Sequence, residues 1–180
     1  MSIWSFKRKR YSDGRIMKYK ARICAHGRQQ SYGINYWETY SPLVNRISVR
    51  LLLTICQLHN LNSESIDFVS AFPQAELDVD IYMMILQGMK VEAQFKPKIL
   101  KLEKNLYRLK PVSRNWFEMI KKGLEQRGFS SSKADPCVCM KEDMIVLLYV
   151  YDMIVVSRTR KQIEDLYKIL VERNENFKLA

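Results

Sequence analysis

The most pronounced apolar run in the chain is Leu147-Leu148-Tyr149-Val150-Tyr151-Asp152-Met153-Ile154-Val155-Val156, strand-favouring residues interrupted by one acid. The residues on either side read as two antiparallel strands, predicted over 144–150 and 153–157, with Asp152 where the chain reverses. Near the start, 3–9 and 17–25 read as a hairpin about the turn-forming pair Asp13-Gly14. Ile47, Leu51, Ile55 and Leu58 recur at helical spacing and predict a helix over 46–59. Short strands follow at 63–67, 80–85 and 98–102, the last two separated by a poorly patterned stretch over 87–98. Trp116, Phe117, Ile120 and Leu124 mark a second helix that stops before Gly128. A strand over 137–141 precedes the hairpin, and a last helix from about 160 carries Ile163, Leu166 and Leu170 on one face.

This order of strands and helices predicts an α+β fold, and 180 residues with 47% hydrophobic content suffice for one real core. Charge adds a partner to the picture. The formal net charge is +11, and nine of the basic residues lie between Met1 and Gln30 against one acid, Asp13. Lys7, Arg8, Lys9 and Arg10 interleave with Trp4, Phe6, Tyr11 and Tyr19, a combination suited to a phosphate-rich partner, with aromatics able to stack on bases. The same basic run also reads as a solvated face or a nuclear-localisation patch. Cys24, Cys56, Cys137 and Cys139 include no Cys-x-x-Cys pair and have no ligand spacing with His26 or His59, so they read as reduced thiols. No secretory leader is expected after Met1 and no apolar run is long enough for a bilayer, which predicts a soluble intracellular chain, cytoplasmic or nuclear, with no membrane partner.

The candidate chemistry rests on two acids. Asp152 sits at the tip of an apolar hairpin, and Asp67 ends a short apolar strand in Ser65-Ile66-Asp67-Phe68, with Phe72 five residues on. Taken singly, each is more readily an ordinary turn residue. Two strand-end carboxylates together suggest a divalent metal site, because an acid buried alone is costly.

The order of motifs carries a resemblance. Tyr149-Val150-Tyr151-Asp152 looks like the Tyr-x-Asp-Asp turn of reverse transcriptases, and the segment from Asp67 to Phe72 resembles their preceding metal-binding motif. Tyr19-Lys20-Ala21-Arg22, Tyr36-Trp37-Glu38-Thr39-Tyr40-Ser41-Pro42, Leu106-Tyr107-Arg108-Leu109-Lys110 and Lys133-Ala134-Asp135-Pro136-Cys137 follow in the order seen in copia-type retrotransposons. The resemblance implies a fingers-like basic region over 1–62 and a ferredoxin-like palm over 63–180 carrying the hairpin 144–157. A working member continues into a thumb and an RNase H domain, so both are expected to be absent from this chain.

Such enzymes copy an RNA or DNA template-primer from deoxynucleoside triphosphates using two magnesium ions held by carboxylates. By resemblance Asp67 and Asp152 are the metal ligands and catalytic acids. Lys20, Arg22 and Lys110 are nucleotide contacts, and Phe72 is the sugar gate or equally a core aromatic. Tyr151 stands where the family has its first turn Asp. A phenol with a reference pKa near ~10 is neutral at pH 7, so nucleotidyl transfer is expected to be impaired or lost and magnesium binding weak. Arg108 likewise replaces a glycine of the family motif. The alternatives are an active fragment needing other chains, a non-catalytic nucleic-acid-binding module, and an unselected remnant of a transposable element.

Overall fold

The computed structural model of the chain describes residues 2–86, 88 and 99–172; the expected irregular stretch over 87–98 lies outside the described residues except for Gly88. Strands β1 (Ser2–Arg10) and β2 (Ile16–Ala25) form a two-stranded antiparallel ribbon, as the sequence predicts. Tyr11 N–H donates to the Arg15 carbonyl at 2.9 Å and Gly14 N–H to the Tyr11 carbonyl at 3.0 Å, while Gly14 adopts φ 86°. A turn of that shape favours glycine because a Cβ crowds the backbone at positive φ.

Because side chains alternate across a strand, the pairing register sorts the ribbon into two faces. Lys7 pairs with Lys20, Lys9 with Lys18 and Ser5 with Arg22, which makes one face cationic. Trp4 pairs with Ile23, Phe6 with Ala21 and Arg8 with Tyr19, which makes the other largely aromatic and apolar.

Helix α1 (Arg46–Leu58) forms where predicted, capped by the Asn45 side chain, which accepts from Ile47 N–H at 2.9 Å. Its orientation corrects the sequence pattern. Leu52 and Cys56 are buried, whereas Ile47, Leu51 and Leu58 are exposed. Leu51, Leu52 and Leu53 in succession give two competing apolar stripes, and packing against the sheet selects the second.

The body is a five-stranded antiparallel sheet in the order β3-β9-β8-β7-β6. It comprises β3 (Asn62–Asp67), β6 (Ser130–Ser131), β7 (Val138–Lys141), β8 (Met144–Tyr149) and β9 (Asp152–Ser157). The hairpin loop is Val150-Tyr151, and Asp152 is the first residue of β9, paired with Tyr149, rather than part of the turn. A two-residue loop closes the tight antiparallel pair, so the acid joins the ladder.

Strands β4 (Tyr82–Met84) and β5 (Ile99–Lys101) form a separate pair, shorter than the sequence predicts. Helix α2 (Ala71–Gln74) follows β3, α3 (Val112–Glu125) carries buried Trp116, Phe117, Ile120 and Leu124, and α4 (Arg160–Glu172) buries Ile163, Leu166 and Leu170. These side chains share one core with Val146, Leu147, Met153 and Val155 of the central strands. All four cysteines are free and buried, and desolvation pushes the Cys137 thiol up to about 12.

A smaller cluster of Ala25, Ile81, Leu109 and Val112 fastens the base of the ribbon to the start of α3. Ala25 N–H donates to the Tyr107 carbonyl at 2.8 Å. Nearby, a Cβ placed on Gly27 would stand 2.2 Å from the Arg108 carbonyl oxygen. Only glycine permits the two backbones to pass so closely.

Candidate functional site

The two predicted acids meet. Asp67 is the direct cross-strand partner of Asp152 on β9, and Asp152 in turn pairs with Tyr149 on β8, so the three residues form one rung on one face of the sheet. Residues opposite each other in an antiparallel pair lie roughly 4.5–5.5 Å apart, close enough for two carboxylates to repel. Desolvation first and the Asp67 charge second raise the Asp152 pKa above the ordinary carboxylate value.

Two hard oxygen groups on adjacent strands suit one divalent cation, which would offset their repulsion. Among the described residues, no group of three or more His, Cys, Asp or Glu forms a fuller metal cage.

The loop beside this rung is strained and pinned. Val150 adopts φ 56°, a left-handed conformation unusual for a β-branched residue. Its carbonyl accepts a 2.8 Å hydrogen bond from Trp116 Nε1, and the Trp116 ring meets Phe68 edge-on at 5.0 Å. A buried indole thus fixes the hairpin tip from beneath.

Tyr151 projects no carboxylate. Its half-exposed ring meets Phe72 edge-on at 6.2 Å, and Phe72 meets Tyr107 at 5.7 Å. The Arg22 guanidinium lies 5.2 Å from the Tyr107 ring centroid, a cation–π contact that completes a continuous path from the ribbon to the hairpin tip. Tyr107 was not singled out as a site residue in the sequence. The signal was its place in the Leu106-Tyr107-Arg108-Leu109-Lys110 motif, whose role became visible only through ring geometry.

Lys20 shares the cationic face with Arg22 and is partly buried. Desolvation, with Arg22, Lys9 and Lys18 adding to it, lowers the Lys20 pKa, while the Asp67 charge partly opposes them. The structure therefore gathers Asp67, Asp152, Tyr151, Phe72, Lys20 and Arg22 into one neighbourhood.

Lys110 has separate partners. Its ammonium donates to Tyr36 Oη at 2.9 Å and to the Gln30 carbonyl at 3.3 Å, lying 4.4 Å from the Tyr36 ring centroid. It borders a cavity of about 520 Å3 with His26, Arg28 and Arg108 at the ribbon base. Arg108 adopts φ 70°, the backbone state that suits the glycine of the family motif. Lys7, Arg8, Lys9 and Arg10 occupy the outer half of β1, exposed to solvent.

Comparison with known proteins defines the class to which this arrangement of an acid pair and a basic ribbon belongs. The family model described as reverse transcriptase (RNA-dependent DNA polymerase) matches residues 1–180. The chain belongs to that family. It is 33% identical over 162 residues to the retrovirus-related Pol polyprotein from transposon TNT 1-94 of Nicotiana tabacum, covering 87% of this chain and 12% of that polyprotein. To the retrovirus-related Pol polyprotein from transposon RE1 of Arabidopsis thaliana it is 32% identical, covering 84% of this chain and 11% of the relative. The transposon Ty1-ER2 Gag-Pol polyprotein of Saccharomyces cerevisiae is 29% identical, with 87% of this chain and 8% of the relative covered. The chain thus spans about a tenth of the curated relatives it matches. No solved structure matches. Among the described residues, no helix is long and apolar enough to cross a membrane.

Proposed function

We propose that this chain is the fingers and palm part of a copia-type reverse transcriptase in which nucleotidyl transfer is impaired or lost at Tyr151. The carrying observation is the rung Asp67–Asp152 set beside a loop residue that offers a phenol where the family has a carboxylate. In this reading the fingers cover 1–62 and the palm 63–180. The sequence β3-α3-β8-β9-α4, with β3, β9 and β8 adjacent in the sheet, supports a ferredoxin-like palm.

Asp67 and Asp152 would hold one magnesium ion, which when bound neutralises their charge and polarises phosphate oxygens. Lys20, within reach of the Asp67 charge, and Arg22 on the same ribbon face bind the triphosphate of a deoxynucleotide by charge-assisted hydrogen bonds. Phe72, held between Tyr107 and Tyr151, limits space at the sugar. Tyr151 supplies bulk and no negative charge, so the site is one acid short of the family's set. Template-primer binding and an intracellular location belong to the same reading. Retained nucleic-acid binding without catalysis is favoured as a second reading by the cationic face of the ribbon, which needs no metal to attract phosphate.

Primer extension on an RNA template with magnesium or manganese, comparing the natural chain with Tyr151→Asp, tests the proposal. Extension by the restored variant alone is the expected result. Extension by the natural chain refutes the claim that Tyr151 disables transfer.

A further inference from the structure

From the outward side of helix α1 we infer an interaction surface: it is one half of a short two-helix seam, and its occupant is an acidic amphipathic helix of another protein. Leu52 and Cys56 face the core with Val49 half-buried beside them, yet Ile47, Leu51 and Leu58 stand 71%, 57% and 75% exposed. With Thr54 these positions follow a 4-3-4 spacing, and at about 100° per residue they fall on one stripe roughly 60° wide. Thr54 turns its hydroxyl onto the Arg50 carbonyl at 2.9 Å, so no polar side chain on the stripe is left unsatisfied. Along one border of the stripe run Arg46, Arg50 and Gln57, all exposed.

A contiguous aliphatic stripe in water marks a contact surface, whereas apolar side chains scattered singly do not. Spacing selects the shape of the occupant. Positions separated by four, three and four residues form the seam of a helix pair, in which each side chain enters a hole between four residues of the facing helix. Charge then selects the composition of that helix. Helix α1 contains no acid, Arg46 stands in its first turn, where the helix dipole opposes a cation, and Arg50 four residues on repels it. Among the described residues neither arginine joins an ion pair. In such a seam Arg50 and Gln57 take the flanking positions whose charges choose the partner, so glutamates on the facing helix supply what α1 lacks. A second copy of α1 would instead bring four arginines together. Nucleic-acid bases stack on rings, which the stripe does not offer. A helix lying on a membrane carries a polar face rich in Lys and Arg, and α1 has two such residues.

Fluorescence anisotropy of the whole chain with a labelled synthetic helix, leucines at 4-3-4 spacing flanked by glutamates, tests this against a counterpart in which lysines replace the glutamates. The natural chain is expected to bind the glutamate helix and not the lysine one. Leu51→Gln should weaken that binding about ten- to a hundredfold, the range for burying one leucine. Reversing both charges, with Arg46→Glu and Arg50→Glu together, should exchange the preference so that the lysine helix binds and the glutamate helix does not. That exchange is a gain of binding, which a misfolded variant cannot imitate, and circular dichroism checks the fold of each chain. No binding of either helix by the natural chain overturns the inference, as does equal binding of both, which would make the stripe merely adhesive. Two further results also overturn it by naming another occupant: self-association, in sedimentation, that Leu51→Gln abolishes, and binding to phosphatidylserine vesicles that the same variant abolishes. No residue of the Asp67–Asp152 rung takes part, so primer extension by the Tyr151→Asp chain is a separate question.

Discussion

Asp152 is held in a costly state: its carboxylate is partly desolvated and faces Asp67 across a strand pair. Since the folded pKa lies above the unfolded one, the associated stability is fully present below the unfolded pKa and is lost as pH rises through the folded pKa. Asp152→Asn should therefore raise stability at pH 7 by about 0.5 kcal/mol, the scale of a like-charge cross-strand pair. The gain should shrink as pH falls through the folded pKa and vanish below the unfolded one, and melting curves recorded across that descent from pH 7 measure it. Magnesium should stabilise the natural chain and not the variant. Val150 is the other strained residue, and Val150→Gly removes the Cβ that its φ of 56° penalises. A gain of about 1 kcal/mol is expected, read as a rise in Tm of roughly 2–4 °C.

At the scale of elements, Asp135 joins parts distant in the chain. Its carboxylate accepts from Asn45 N–H at 2.9 Å and Ser48 Oγ at 2.6 Å at the start of α1, and from Cys137 N–H at 3.0 Å before β7. Burial alone would push its pKa up, but these three donors outweigh that and hold it below the usual carboxylate value. Asp135→Asn should cost about 1.5–3 kcal/mol in thermal unfolding at pH 7. Because the folded pKa is depressed, that difference should persist above the unfolded pKa near ~4 and shrink as pH falls through the folded value. The sequence displayed Asp135 within a motif but not this bracing role, which depends on contacts across about ninety positions. By contrast, the ribbon, the hairpin and helices α1 and α3 were legible because each is announced by a local period or turn pair. The buried face of α1 was not, since three consecutive leucines satisfy either stripe until the sheet chooses between them. The joining of Asp67 to Asp152 was legible through motif order. The ring path from Arg22 through Tyr107 and Phe72 to Tyr151 was not, because edge-on packing leaves no trace in spacing.

Across the whole molecule, stability is unevenly distributed. The five-stranded sheet shares its core with helices α1, α2, α3 and α4, whereas the ribbon is fastened mainly at its base by the small cluster around Ala25, Leu109 and Val112. Hydrogen exchange should accordingly find the amides of β1 and β2 opening well before those of β8 and β9, as a separate cooperative unit. Equal protection throughout would contradict that division. The closest backbone approach at the ribbon base is at Gly27, where a methyl group would collide with the Arg108 carbonyl oxygen at 2.2 Å. Backbone cannot yield as a side-chain end can, so Gly27→Ala should displace the ribbon base from the Arg108 backbone and weaken the pull of Asp67 on Lys20 without touching either residue. How the ribbon stands on the body is thus set, at its base, by the single hydrogen atom that Gly27 carries in place of a side chain.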